Sequence, residues 1–183
     1  MIDLTPLRED LTHVNGGWVL LVETVPAIAS ELALSIIRNL SEGGMACLIL
    51  VTQSSTKQML TYFPRWGIDP ARVVVLDCSG TVTKIPGFPN VQTFKSVSDV
   101  GTISAILAVD LAAVPGGKFV FFDSLASILA TDPGAGGLRY IHILLTKLRA
   151  GLAGGLLFTP EASIDDDSMA EVEQFCDRVI HFK

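Results

Sequence analysis

Apolar residues cluster in six short blocks: WVLLVE at 18–23, ACLILVT at 46–52, RVVVLDC at 72–78, KFVFFDS at 118–124, GLLFTP at 155–160 and RVIHF at 178–182. Most are continuous rather than alternating, which suits strands covered on both faces, as in a parallel sheet held between helices. The segments between them carry helical spacing. Pro26 can open a first helix, with Ile28, Leu32, Ile36 and Leu40 on one face up to a stop at Glu42–Gly44. The pattern predicts a second helix over 54–66, capped by Ser54 or Ser55 and carrying Met59, Leu60, Phe63 and Trp66. Further helices are predicted over 98–114, 138–150 and 166–176. Strands alternating with helices give βαβ units, hence an α/β fold: a three-layer, doubly wound, mainly parallel sheet. Periodicity alone leaves a flavodoxin-type strand order open beside other doubly wound orders. Residues 1–183 read as a single domain, since one core can serve a chain of this length.

Composition narrows the function classes. Hydrophobic residues make up 49% and charged residues 17%, below the roughly 25% charged of an average domain, so apolar surface is expected to remain for a partner or a second copy. The net charge is −6 and no stretch gathers lysine or arginine into a stripe, so nucleic acid and anionic membrane are disfavoured. The start, MIDLTPLREDLTHVNGG, lacks the basic and apolar regions of a leader. No run approaches the roughly 18 apolar residues of a membrane span, and a cytoplasmic location is expected. Cys47, Cys78 and Cys176 show neither disulfide regularity nor zinc spacing and read as reduced, largely buried thiols, two of them in or beside strands.

In this order of elements the chain resembles the RecA-like ATPases, within them the KaiC-like group, along nearly its whole length. The phrases that carry the resemblance are YFPRWGIDPARVVVLDCSG at 62–80, FVFFDSLASIL at 119–129 and CDRVIHF at 176–182. The resemblance implies a RecA-like core with a phosphate loop between the first strand and its helix. It also implies catalytic glutamates after the second strand, and a magnesium-holding Walker B carboxylate at Asp123, followed by Ser124.

The phosphate-loop stretch departs from the pattern. A working loop reads G-x-x-x-x-G-K-[ST]: the glycines let backbone N–H groups turn inward, the lysine reaches the outer phosphates and the hydroxyl binds magnesium. On that frame ETVPAIAS puts Glu23 and Ile28 at the glycines, Ala29 at the lysine and Ser30 at the hydroxyl. Only Ser30 matches. Loss of the lysine contact alone, about 1.5–3 kcal/mol, weakens binding by roughly one to two powers of ten. The paired glutamates fall on Gln53 and Ser54, and loss of a general base costs about 10² to 10⁴ in rate. Asp123 could serve instead as a structural acceptor, for Ser30 or for backbone donors. The direction of Glu23, into the old phosphate pocket or away from it, is open at this level.

Other candidates are weaker. DPGAGGLRYIHILL at 132–145 could form an anion-binding nest with Arg139 as counter-charge, or simply a variable loop at 131–137. His13, His142 and His181 are far apart and suggest no metal site. SIDDDS at 163–168 reads as a helix cap, and no G-x-S-x-G elbow occurs. The expectation is therefore a pseudo-ATPase with a degenerate phosphate loop, not an enzyme. It would act through assembly or regulation with itself, as a homo-oligomer, or with a RecA-like paralogue, and without a cofactor. A first alternative is a non-hydrolysing regulator holding magnesium-ATP or ADP at a vestigial site formed by Ser30, Asp123 and Ser124. A second is a non-catalytic subunit of a nucleic-acid-binding RecA-like complex.

Overall fold

The computed structural model describes residues 2–52, 54–80, 85–131 and 135–183. A 3-10 turn, Thr5–Leu7, leads into α1, Arg8–His13, and then β1, Val19–Thr24, and α2, Ala29–Glu42. Next come β2, Ala46–Val51, and α3, Ser54–Leu60, with a 3-10 turn at Phe63–Trp66. β3, Val73–Asp77, and β4, Asn90–Thr93, are followed by α4, Val100–Ala113, β5, Lys118–Phe122, and α5, Leu125–Thr131. The chain closes with α6, Ala135–Ala150, β6, Gly154–Pro160, α7, Asp166–Glu173, and β7, Arg178–Phe182.

The strands form one seven-stranded sheet in the order β4-β3-β2-β5-β6-β1-β7, every pair parallel. Parallel pairing forces a crossover after each strand, and the crossovers cover the two faces. One face packs under the N-terminal segment, α2 and α3, with Leu32, Ile36, Ile49, Phe63 and Phe121 at its centre. The other packs under α4, α5, α6 and α7, with Leu48, Leu107, Phe122, Ile141 and Leu145. The predicted three-layer arrangement is therefore present and is consistent with a RecA-like core. The flavodoxin order, 2-1-3-4-5, seats the first strand beside the second. Here β5 and β6 lie between β1 and β2, so that order is excluded.

Differences from the sequence pattern are local. Pro26 does not open α2, because the chain first makes a turn and the helix starts at Ala29. The helix expected over 54–66 ends at Leu60, because Pro64 lacks the N–H an α-helix needs there, and the segment tightens into the 3-10 turn at Phe63–Trp66. The short α1, α5 and edge strand β4 carry no long apolar run and escaped the pattern. β4 reads NVQT, partly exposed throughout. Among the described residues no helix is long and apolar enough to cross a membrane.

Close approach of chain segments fixes particular glycines. A Cβ on Gly154 would lie 2.6 Å from the Val14 carbonyl carbon and 2.7 Å from its oxygen. Backbone cannot step aside cheaply, so Gly154→Ala is expected to cost about 1–3 kcal/mol. Exposed Gly101, in the first turn of α4, has nothing within 4 Å of such a Cβ, and Gly101→Ala should instead add about 0.5–1 kcal/mol. Urea unfolding of the two variants checks both signs; equal midpoints would contradict this packing.

Candidate functional site

In open parallel sheets the loops beyond the carboxyl ends of the strands form the usual ligand site. Along β1, alternation places Thr24 with Val22 on the α2–α3 face and Glu23 with Leu21 on the opposite one. Glu23 therefore does not point toward the turn into α2. Its Oε2 lies 2.7 Å from His181 Nδ1 of the neighbouring β7 residue, which settles its direction.

The link from β1 to α2 is a compact turn. The Ile28 N–H donates to the Val25 carbonyl at 3.2 Å, the Ala29 N–H to the Pro26 carbonyl at 3.4 Å, and Pro26 has no N–H to give. Among the described residues only Leu152 and Ala162 combine a side chain with positive φ, so no residue of 23–30 adopts the glycine-like backbone of a phosphate cradle. Ser30 is exposed and lines a groove with Leu34, Met59, Tyr62 and Trp66.

Asp123 follows β5 and bonds across to β2. Its Oδ1 and Oδ2 accept from the Thr52 N–H at 2.9 and 3.0 Å, and Oδ1 accepts from the Thr52 hydroxyl at 2.6 Å. Of the two acceptor roles raised by the sequence, backbone donation is present. Buried Ser124 accepts from the Ser127 N–H at 3.1 Å and pairs with the Ser127 hydroxyl at 2.9 Å, a cap on α5. Gln53 lies outside the described residues, as do 132–134 of the glycine-rich stretch.

Gly136 and Gly137 are already inside α6, and a Cβ on Gly137 would meet Leu129 Cα and O at 2.8 Å. The anion nest proposed there has lost both glycines to the helix, and Gly137 packs against α5. Asp165 caps α7 by accepting the Ser168 N–H at 2.9 Å, a bond that holds its carboxyl below the usual range. His13 stacks near Trp18, His142 near Phe175, and His181 meets Glu23, so the three stay apart. No group of three or more metal-ligating side chains occurs among the described residues.

Several polar groups at the strand ends went unnoticed in the sequence. Asp77, fully buried at the end of β3, has Lys57 Nζ 2.7 Å from its Oδ2, within ion-pair distance but without the alignment of a hydrogen bond. Its Oδ1 accepts from the Ser79 N–H at 3.0 Å and the Ser79 hydroxyl at 2.7 Å. The Thr24 hydroxyl on the same sheet face is fully buried and has no hydrogen-bond partner. On the opposite face the buried Tyr140 hydroxyl is also unpartnered, and burial raises its pKa, with Cys78 and Asp99 adding to the effect. Burial likewise pushes the Cys78 thiol up to about 12, reinforced by Asp77, Asp123 and Asp99. The Cys78 burial was already legible in the sequence, whereas the Lys57–Asp77 pair and the two unpartnered hydroxyls depend on which elements lie side by side.

No protein-family model matches the sequence, and no curated protein matches it. Among solved structures it is similar to an uncharacterised protein from Pyrococcus horikoshii, crystallised in complex with an unknown peptide. The TM-score is 0.69 at 16% identity, over 91% of this chain and 78% of that one. At that identity the likeness establishes the fold.

Three outcomes are expected. Lys57→Met would leave the buried Asp77 carboxylate without its cation and cost about 3–5 kcal/mol, with Lys57→Met/Asp77→Leu regaining part of the loss. An unchanged urea midpoint for the single variant would show that the pair holds nothing together. All three thiols are raised by burial, Cys176 also to about 12 and Cys47 well above its ordinary value, so Ellman's reagent at pH 8 should reach fewer than one per native chain within minutes. Unfolded thiols ionise near 9 while the native ones stay protonated, so stability is full below pH 9 and falls as pH rises from there toward 12. Fast native labelling, or a flat alkaline limb, would contradict that burial.

Proposed function

We propose that this chain is a catalytically inactive RecA/KaiC-like domain, a pseudo-ATPase that works by protein–protein assembly or regulation. The observation that carries the reading is the turn at 25–28. The Ile28 and Ala29 amides, which a phosphate loop would turn toward its ligand, close onto Val25 and Pro26 carbonyls instead. No lysine stands at 29, and the Asp123 carboxylate is engaged by Thr52. Side-by-side packing of RecA-like domains needs the fold rather than hydrolysis, so the chain is read as using its surface, toward itself or a RecA-like paralogue. The Pyrococcus horikoshii neighbour was crystallised with a peptide, which lends modest support to a protein-binding role.

One observation favours a second reading. Thr24 offers a buried hydroxyl without a partner on the sheet face that carries Asp123 and the start of α2, and buried hydroxyls are seldom left so. A phosphorylated ligand held there by Thr24, Ser30 and Asp123 would make the chain a non-hydrolysing nucleotide-binding regulator.

Calorimetry with magnesium-ATP and magnesium-ADP up to millimolar, beside light scattering on the same sample, separates the two. The first reading expects no binding heat and a defined oligomer or complex. Micromolar binding, with a thermal shift that Asp123→Ala abolishes, would replace it with the second. A monomer that recovers no partner from native extract would remove the assembly role.

A further inference from the structure

The two edges of the sheet are kept differently. At one end β4 is mostly polar, and its side chains tie back to the molecule: Asn90 Nδ2 donates to the Ala71 carbonyl at 3.4 Å and Gln92 Nε2 to Asp110 Oδ2 at 2.8 Å. At the other end β7, Arg178–Phe182, pairs only with β1. The Asp177 N–H donates to the Val19 carbonyl at 2.9 Å, and in a parallel ladder the backbone groups of successive residues turn to alternate sides. Val179 and His181 therefore also face β1, while the N–H and C=O groups of Arg178, Ile180 and Phe182 point away from the sheet. Among the described residues no strand meets them.

Natural edges are guarded by proline, bulges or free charge. RVIHF contains no proline or glycine, and its register with β1 runs unbroken from Arg178 to Phe182. Its two basic side chains are drawn aside, Arg178 to Asp10 at 3.3 Å and His181 to Glu23 at 2.7 Å. Val179, Ile180 and Phe182 are apolar and only half-buried. The outward groups form a set centred on Ile180, so a two-fold axis there engages all of them: Ile180 exchanges both bonds with Ile180 of the other copy, and Arg178 does so with Phe182. On the α2–α3 face this sets Ile180 against Ile180 and Arg178 against Phe182, and on the opposite face Val179 against His181. No like charges meet, and Lys183 beyond the strand falls opposite Asp177 rather than another cation. A second copy brings this matched pattern with it. We propose that β7 pairs antiparallel with β7 of a second copy, joining the two sheets edge to edge. The inference rests on the reading that the chain works through assembly, and it names the seam.

The test is sedimentation velocity of the full chain from micromolar to millimolar, with a disulfide readout of register. The seam is short, so a reversible dimer at tens to hundreds of micromolar is expected. Ile180→Pro removes the central outward N–H, leaves the bonds to β1 in place and should weaken the dimer at least tenfold. If it does not fold, Ile180→Lys, which sets two cations face to face, takes its place. Directly opposed residues of such a pair lie about 5.5 Å apart between Cα atoms, within disulfide reach. Mild oxidation of Ile180→Cys should therefore give a covalent dimer, while the native chain and Val91→Cys on the β4 edge should not. A chain that stays monomeric across the range overturns the proposal. It does so even if the peptide Thr-Val-Thr-Val-Thr shifts the Ile180 amide, since the edge would then take a foreign strand. A dimer that Ile180→Pro leaves intact, or that Ile180→Cys fails to capture, would sink this inference and leave the assembly reading standing. An edge-paired dimer that also binds ATP at micromolar levels would do the reverse.

Discussion

Burial of a parallel sheet on both faces is the constraint from which the rest of this molecule follows. With β1, β2, β5 and β6 almost wholly inaccessible, a polar side chain carried along them without a partner is costly. Every crossover must return on one face or the other, which makes the helices a requirement rather than an ornament. Polar chemistry is thereby pushed to the carboxyl ends of the strands, where the backbone leaves the sheet and donors become available.

At those ends the side chains largely satisfy one another. Asp123 ties β5 to β2 through Thr52, Asp77 is tied to α3 through Lys57 and to its own turn through Ser79, and Glu23 reaches β7 through His181. All but the Asp77–Ser79 contact join elements distant in sequence. They act as side-chain cross-links beside the backbone bonds that join the strands at this end, such as Cys78 N–H to the Val51 carbonyl and Glu161 N–H to the Thr24 carbonyl. Among the described residues two hydroxyls, Thr24 and Tyr140, are the exceptions, one on each face of the sheet.

The surface tells a different story from the strand ends. Among the described residues the large exposed hydrophobic side chains are few: Tyr62, Val109 and Leu152. Tyr62 stands on the wall of a groove between two helices, beside an acid. Leu152 holds a φ of 53° in the turn after α6, a strained setting for a residue with a side chain. Apolar surface left over from a core this well filled has to be looked for in such places rather than in the interior.

The sequence by itself determined the layer architecture. Continuous apolar runs of strand length alternating with helical spacing admit few other packings, and both the thiol burial and the Asp165 cap could be read from neighbouring residues alone. It also determined that ETVPAIAS lacks the glycines and lysine of a phosphate loop, since residue identity suffices for that. It could not supply β4, whose polar edge carries no burial signal, nor the break after Leu60, nor the helical state of Gly136 and Gly137. Tertiary structure alone decided strand order, and with it every pairing at the strand ends: Glu23 with His181 across 158 residues, and Asp123 with Thr52 across 71. Periodicity reports which face of an element is buried, but not which element covers it, because burial energy is non-directional and any apolar neighbour satisfies it.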